Sequence, residues 1–465
     1  MLAVVVEHTV FSGGWHFKIF YLGRNIPTPP PIVYKKRLSR SAKAPTKMES
    51  HEQAMAILYI MQSKDNVLLS GAAGTGKSHV LGRLCEELKA ASRTFTLTAL
   101  TGAAAALLAG AQTLHSALGV GLLGNTVEEH VKALRRASSE VKRAWAATTL
   151  IVDEISMLSG ADFVKLEAVA RGVRRSARPF GGMRLVLVGD LLQLPPVGKG
   201  DADFVFASES WRLCRVALVQ LEVNMRQEAG SALELCLAKL RVGVVDAGVE
   251  AFLRSCVREP PSDTVVTELH GNNAAVDAIN AARLAQLRAT GARHARFEAE
   301  VELHEEAQRE ALARHESLVP RSVELAVGAE VMLTKNLRRG DSGLVNGSRG
   351  RVVGFDGPTG LPIVRFVGVG TAMVKCAEYP FELVAGTVAW TFRQLPLRLA
   401  YALTVHKAQG MTLHSVVVDM RCIFQKGQGY VALSRMRTQE GLYIRNLNLA
   451  GISASETVLE FLGKR

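Results

Sequence analysis

Between residues 50 and 225, short apolar runs alternate with longer stretches that carry apolar residues at helical spacing. The runs VLL (67–69), TFTLTA (94–99), TLIVD (149–153) and LVLVG (185–189) predict strands. The stretches 52–62, 77–90, 102–109 and 161–175 predict the helices between them. Alternation of this kind builds a parallel sheet with helices on both faces.

The pattern then changes twice. Segment 275–318 is polar and dense in charge, and AEVELHEEAQREALARHE (299–316) predicts a solvated helix. His294, His304 and His315 lie in this region, but no two stand at i, i+4 as a metal-binding pair on one helix face would. From 325 to 395, short strands punctuated by glycine take over: VMLT (331–334), GLVNGSRGRVVGF (343–355) and LPIVRFV (361–367). This texture predicts a small antiparallel, barrel-like unit. After PLRLAYALTVHKAQGMT (396–412) come a strand, VVVD (416–419), and a helix near 428–436, so α/β texture returns. The expected organisation is therefore an α/β domain over 49–225 and a second one made of 226–324 and 396–465, interrupted by a β module at 325–395.

Composition narrows the class. Of the 465 residues, 48% are apolar and 21% charged, which excludes a disordered or fibrous chain. Lys and Arg number 56 against 43 Asp and Glu, and the net charge of +13 favours a polyanionic partner, nucleic acid ahead of an anionic membrane. No uninterrupted apolar run reaches the roughly 18 residues of a membrane span. The six cysteines form no CxxC pair, so a zinc ribbon is unsupported, and a chain of this size needs no disulfide staples. A reducing compartment is expected. Residues 1–48 stand apart, with PTPPP (27–31), the basic run KKRLSRSAK (35–43) and Glu7 as the single acid. They read as a solvated, partly disordered tail or as a targeting segment. Scarce acids with Arg, Lys and Ser suit a mitochondrial transit peptide, and the basic run suits a nuclear signal.

GAAGTGKS at 71–78 follows a predicted strand and opens a predicted helix. Gly71 and Gly76 let backbone N–H groups turn toward phosphates, Lys77 reaches the β and γ groups, and the Ser78 hydroxyl can ligate Mg²⁺. In LIVDEISM (150–157), a buried strand would deliver Asp153 to the magnesium and Glu154 to the attacking water. VGDLLQLPPV (188–197) brings Asp190 and Gln193 to the same region, with Gln193 suited to sensing the γ-phosphate. Arg226 and Arg435 are the cations that a nucleotide held between two α/β domains needs on its γ-phosphate.

These runs, with HKAQGMTL and GQGYVALSR, resemble the Pif1 family of DNA helicases within helicase superfamily 1B. The resemblance extends from about Glu49 to Asn448, and the stretch 162–190 resembles the segment that separates Pif1 proteins from RecD-type helicases. It implies two RecA-like P-loop motor domains with an SH3-like β insertion in the second. It also implies ATP-driven 5′→3′ translocation on single-stranded DNA by a monomer, opening forked duplexes and, in many members, G-quadruplexes, in genome maintenance. Carried over by motif, Gln53 reads the adenine, and the loop Gly71, Ala72, Ala73, Gly74, Thr75, Gly76, Lys77 and Ser78 holds phosphates and magnesium. Asp153 and Glu154 serve magnesium and water, Gln193 couples ATP to movement, and Arg226 and Arg435 stabilise charge. DNA contacts fall on Thr98, Thr101, Gly102, His115, Ser116, Thr404, His406, Lys407 and Gln409, in loops suited to phosphates and sugars rather than bases. Met225, Leu191, Ala117 and Ala408 depart from the family pattern, the first three where an aromatic is usual.

Two other classes fit parts of this pattern. A P-loop kinase or nucleotide-gated switch explains GAAGTGKS but has no role for ALSR (432–435) or HKAQG (406–410). A nucleic-acid-binding module with a degenerate ATPase is at odds with the presence of Lys77, Asp153, Glu154 and both arginines.

Overall fold

The computed structural model describes Val4–Val6, Ile19–Tyr21 and residues 50–463, apart from 107, 122, 197–202, 262–265, 304–319, 336, 338–343, 345–346, 368, 385–386 and 414. The first lobe is built on an eight-stranded sheet whose inner order is Val216–Leu221, Asn66–Gly71, Arg184–Gly189, Thr149–Asp153, Phe95–Ala99 and Gln112–Thr113, all parallel. Side chains alternate between its faces. Val67, Leu69, Ile151, Val186, Val188 and Val219 pack under the helices His51–Gln62 and Lys77–Ala90. Leu68, Leu150, Val152, Leu185, Leu187 and Leu218 pack on the other side with the helix Gly160–Arg174. Parallel strands share one carboxyl edge, and ligands of open α/β sheets bind outside it. The register, with Ser70 opposite Gly189 and Ala99 opposite Asp153, brings the phosphate loop, Asp153 and the Asp190 turn to that edge.

The second lobe has a four-stranded parallel sheet in the order Ala402–Thr404, Thr267–His270, Val416–Asp419, Leu442–Arg445, with its own core around Leu269, Leu403, Val418 and Ile444. An antiparallel module interrupts it. Five strands run in the order Gly370–Met373, Pro362–Phe366, Arg349–Phe355, Glu330–Leu333, Leu397–Leu399, closed over Val331, Leu333, Val352, Val364 and Leu397. No helix among the described residues is long and apolar enough to cross a membrane.

Three expectations need correction. The helix expected over 299–316 gives way at its start to extended chain. His294–Glu298 pairs antiparallel with Ser322–Ala326, and Glu300–Leu303 pairs with Thr387–Gln394. Ala295 and Phe297 reach the β core while charge is met laterally, as in Arg393 with Glu300 across the register and Arg296 with Glu324. His304 and His315 lie outside the described residues, and His294 is exposed on a strand. The amino-terminal segment also contributes to the sheet: Val4–Val6 pairs with Ile19–Tyr21, which pairs antiparallel with the edge strand Val216–Leu221. Its basic run at 35–43 lies outside the described residues. Finally, the end of the chain leaves the second lobe. The helix Glu456–Phe461 buries Val458 in the first lobe's core, where Phe461 stacks on Phe206 at 4.1 Å.

Candidate active site

Strand Asn66–Gly71 releases the chain into a loop that needs glycine twice. Gly74 (φ +90°) and Gly76 (φ +82°) adopt left-handed backbone. A Cβ on Gly74 would also lie 2.7 Å from Asn224 Oδ1 and 2.8 Å from the Cβ of Arg226, and one on Gly76 would collide with Gln53 Nε2. Lys77 opens the helix Lys77–Ala90, and Ser78 is exposed in its first turn. Lys77 Nζ donates to the carbonyls of Gly71 (2.8 Å) and Ala72 (2.9 Å). Burial lowers its pKa, opposed by the charges of Asp190, Glu154 and Asp153.

Asp153 ends its strand almost fully buried. Burial, then the neighbouring Glu154 charge, pushes its carboxyl up to about 7. A carboxylate so poorly compensated fits a divalent cation, and Asp153 with Ser78 would hold Mg²⁺ there. Glu154 has left-handed backbone (φ 57°), and its N–H donates to Asp153 Oδ1 at 2.9 Å. Gln193 Nε2 donates to Asp190 Oδ2 (3.3 Å), and Asp190 in turn takes a two-pronged grip from Arg241 at 3.0 and 2.7 Å. Burial alone would raise Asp190, but the Arg241 guanidinium and Lys77 outweigh it and hold the carboxyl below its ordinary range.

The second lobe closes over this edge. Ala73 N donates to the Tyr430 hydroxyl at 2.8 Å, and Arg226 Nη1 donates to the Ser434 carbonyl at 2.8 Å. Arg435 is fully buried, and its guanidinium donates to the Val431 and Met411 carbonyls and to Ser434 Oγ. Among the described residues it forms no ion pair. Burial and the like charge of Arg226 lower it to about 9, so it stays protonated at neutral pH. A buried cation satisfied only by neutral acceptors is a receptor for an anion. Ala72, Ala73, Arg241 and Tyr430 line a cavity of about 240 Å³ between the lobes.

Other expected contacts are placed differently. Gln53 does not offer an open edge to an adenine. As the N3 residue of a capping box its Oε1 accepts from Ser50 N, while Nε2 donates to the Thr75 carbonyl at 3.0 Å, so it braces the phosphate loop. Thr98 lies within the sheet and donates to the Ile151 carbonyl (2.7 Å), and Thr404 is buried as the cap of the short helix Val405–Ala408. Both side chains are buried. Gln409 is also buried, and its Nε2 donates to Glu154 Oε2 at 2.9 Å. Thr101, Gly102, His115, Ser116, His406 and Lys407 remain wholly or partly accessible. His406 Nε2 has no partner among the described residues, and Lys407 Nζ donates to Asn273 Oδ1. Of the departures from the family pattern, Leu191, Ala117 and Ala408 are core positions, and only Met225 is exposed. Reading by motif missed Arg241 and Tyr430. Arg241 was detectable, because it shares the apolar stripe of Leu233, Cys236, Leu237 and Leu240.

Fold and site together define a two-lobed P-loop NTPase architecture. A family model described as PIF1-like helicase matches residues 48–237, and one described as DNA helicase Pif1, 2B domain, matches 313–355. The ATP-dependent DNA helicase PIF1 of Danio rerio is 38% identical over 425 residues, 90% of this chain and 64% of that protein. The ATP-dependent DNA helicase Pif1 of Bdellovibrio bacteriovorus is 33% identical over 415 residues, 89% of this chain and 91% of that protein. A crystal structure of Pif1 helicase from Candida albicans superposes with a TM-score of 0.81 at 32% identity, covering 90% of this chain and all of the other. The chain belongs to the Pif1 helicase family, and it spans just under two thirds of the zebrafish relative, 64% of its length.

Proposed function

We propose that this chain is an ATP-dependent DNA helicase that moves 5′ to 3′ along single-stranded DNA, opens forked duplexes and G-quadruplexes, and acts as a monomer in genome maintenance, in the mitochondrion or the nucleus. The observation that carries the reading is the buried Arg435, hydrogen-bonded only to neutral acceptors among the described residues and set with Arg226 over a phosphate loop, Asp153 and Glu154 supplied by the other lobe. The names of the relatives support both ATP use and DNA as substrate. In this reading residues 49–225, joined by the returning helix Glu456–Phe461, form the first motor domain, and 226–324 with 396–455 form the second. The β module at 325–395 is an SH3-like insertion. Lys77, Arg226 and Arg435 stabilise charge on the γ-phosphate, Glu154 takes a proton from the attacking water, and Gln193 senses the phosphate. Magnesium, when bound by Ser78 and Asp153, supplies charge neutralisation on the phosphates. Thr101, His115, Ser116, His406 and Lys407 grip the DNA backbone, and alternation of grip between the lobes gives movement.

ATP hydrolysis with and without single-stranded DNA, followed by strand separation on duplexes with a 5′ or a 3′ tail, tests this. Strong stimulation and opening only from the 5′ tail are expected. Lys77→Ala should lose nucleotide affinity and turnover, while Glu154→Gln should bind ATP and turn over at least about a hundredfold more slowly. Hydrolysis indifferent to DNA would refute the helicase reading.

A further inference from the structure

The loop from Thr404 to Gly410 has two sides. Outward it presents the exposed Lys407, with the half-buried His406 beside it; two residues after Lys407 it sends Gln409 into the nucleotide edge of the opposite lobe. There Gln409 Nε2 is the single hydrogen-bond donor on the Glu154 carboxylate among the described residues, at 2.9 Å from Oε2. The other end of the amide, Oε1, is buried with no partner among the described residues. Glu154 needs outside guidance. Its backbone is fixed in the left-handed region, but the side chain beyond it has several torsions and no other hydrogen-bond anchor among the described residues. A general base works when one oxygen is held and the other is turned to the water, and when the holding group leaves it ionised and basic. A neutral amide does this, whereas a guanidinium or ammonium in its place would depress the basicity.

We propose that Gln409 is a positioning residue that aims Glu154 at the attacking water, so that hydrolysis depends on how the 404–410 loop is seated. DNA held by His406 and Lys407 would then set the rate through this one amide, because the loop cannot shift on a phosphate without carrying Gln409 with it. The inference rests on the helicase reading above and adds a residue to it. It moves Gln409 from the DNA-contact set to the machinery that orients the base.

Gln409→Met keeps the volume and the burial and removes the donor. ATP hydrolysis by the full chain would be measured against ATP concentration, with and without an oligothymidylate strand. Binding of that strand would be followed by fluorescence anisotropy. With DNA present, kcat should fall roughly ten- to a hundredfold while KM for ATP and the DNA Kd stay within about twofold, so that the stimulation ratio collapses. In a Glu154→Gln background, Gln409→Met should have no further effect on rate, since both act on one step. A side chain that only fills space would leave kcat unchanged in the Met variant, and that result overturns the proposal. A fall in rate explained by lost DNA affinity, or a rise in the DNA-free rate, overturns it equally, the first making Gln409 a DNA contact and the second a brake. If the unsubstituted chain hydrolyses ATP under DNA stimulation and Gln409→Met matches it, this inference fails alone. An inert unsubstituted chain removes the helicase reading and the inference with it.

Discussion

At the end of strand Thr149–Asp153 the Asp153 carboxyl is buried beside the Glu154 charge, and the two push it up to about 7 against the Glu154 N–H and the Lys77 charge. In the unfolded chain the same group titrates near the ordinary value of about 3.9. Between those values the folded chain holds a proton that the unfolded chain has released, so folding stability falls as pH rises through this window. Above about 7 the whole penalty is present. Asp153→Asn should therefore melt higher than the unsubstituted chain at pH 8, by roughly 1–2 °C for each kcal/mol relieved, with the difference shrinking toward pH 5. Thermal melts across that range check the sign. An Asn variant that melts lower at pH 8 would mean that the carboxylate has a partner. The same residue illustrates a general trade: the burial that would suit it to hold a metal ion makes it a poor core residue.

At the scale of elements, the helix Ala232–Arg241 is more than a packing unit of the second lobe. Its last residue carries the guanidinium that neutralises Asp190, a carboxylate with no exposure at all. Arg241→Ala should destabilise the chain by about 3–5 kcal/mol, because it leaves a buried charge unpaired. Replacing both partners with apolar residues, Asp190→Leu with Arg241→Met, should recover most of that loss without recovering hydrolysis; denaturant melts and ATPase assays separate the two effects. Most elements near the site were legible in the sequence because VLL, TLIVD and LVLVG are apolar runs that stop two residues before Gly71, at Asp153 and at Gly189. Their shared carboxyl edge does the rest. Strands His294–Glu298 and Glu300–Leu303 were not legible, since pairing with Glu324 and Arg393 lets charged residues sit in a sheet that composition alone reads as a solvated helix. Nor could local pattern assign Gln53, Thr98 and Gln409. Their roles are set by neighbours 22, 53 and 255 residues away.

The whole molecule adds charge and connectivity. With a net charge of +13, binding to single-stranded DNA should release counterions. Raising salt from about 50 to 200 mM should weaken binding roughly sevenfold for every two phosphates neutralised, and Lys407→Ala should lower the log–log slope by about 0.7. A titration series at four salt concentrations measures both. Connectivity restricts what the lobes can do with that grip. The chain passes from the first lobe to the second after Leu221 and returns after Ile452, where a Cβ on Gly243 would approach Ala454 N to 2.9 Å. The returning helix is then anchored by Val458 and Phe461. Two bodies sewn together twice cannot part like the halves of a clamp on a string; they open like the covers of a book, about one spine. A single distance between labels on the free edges would therefore track the entire stroke.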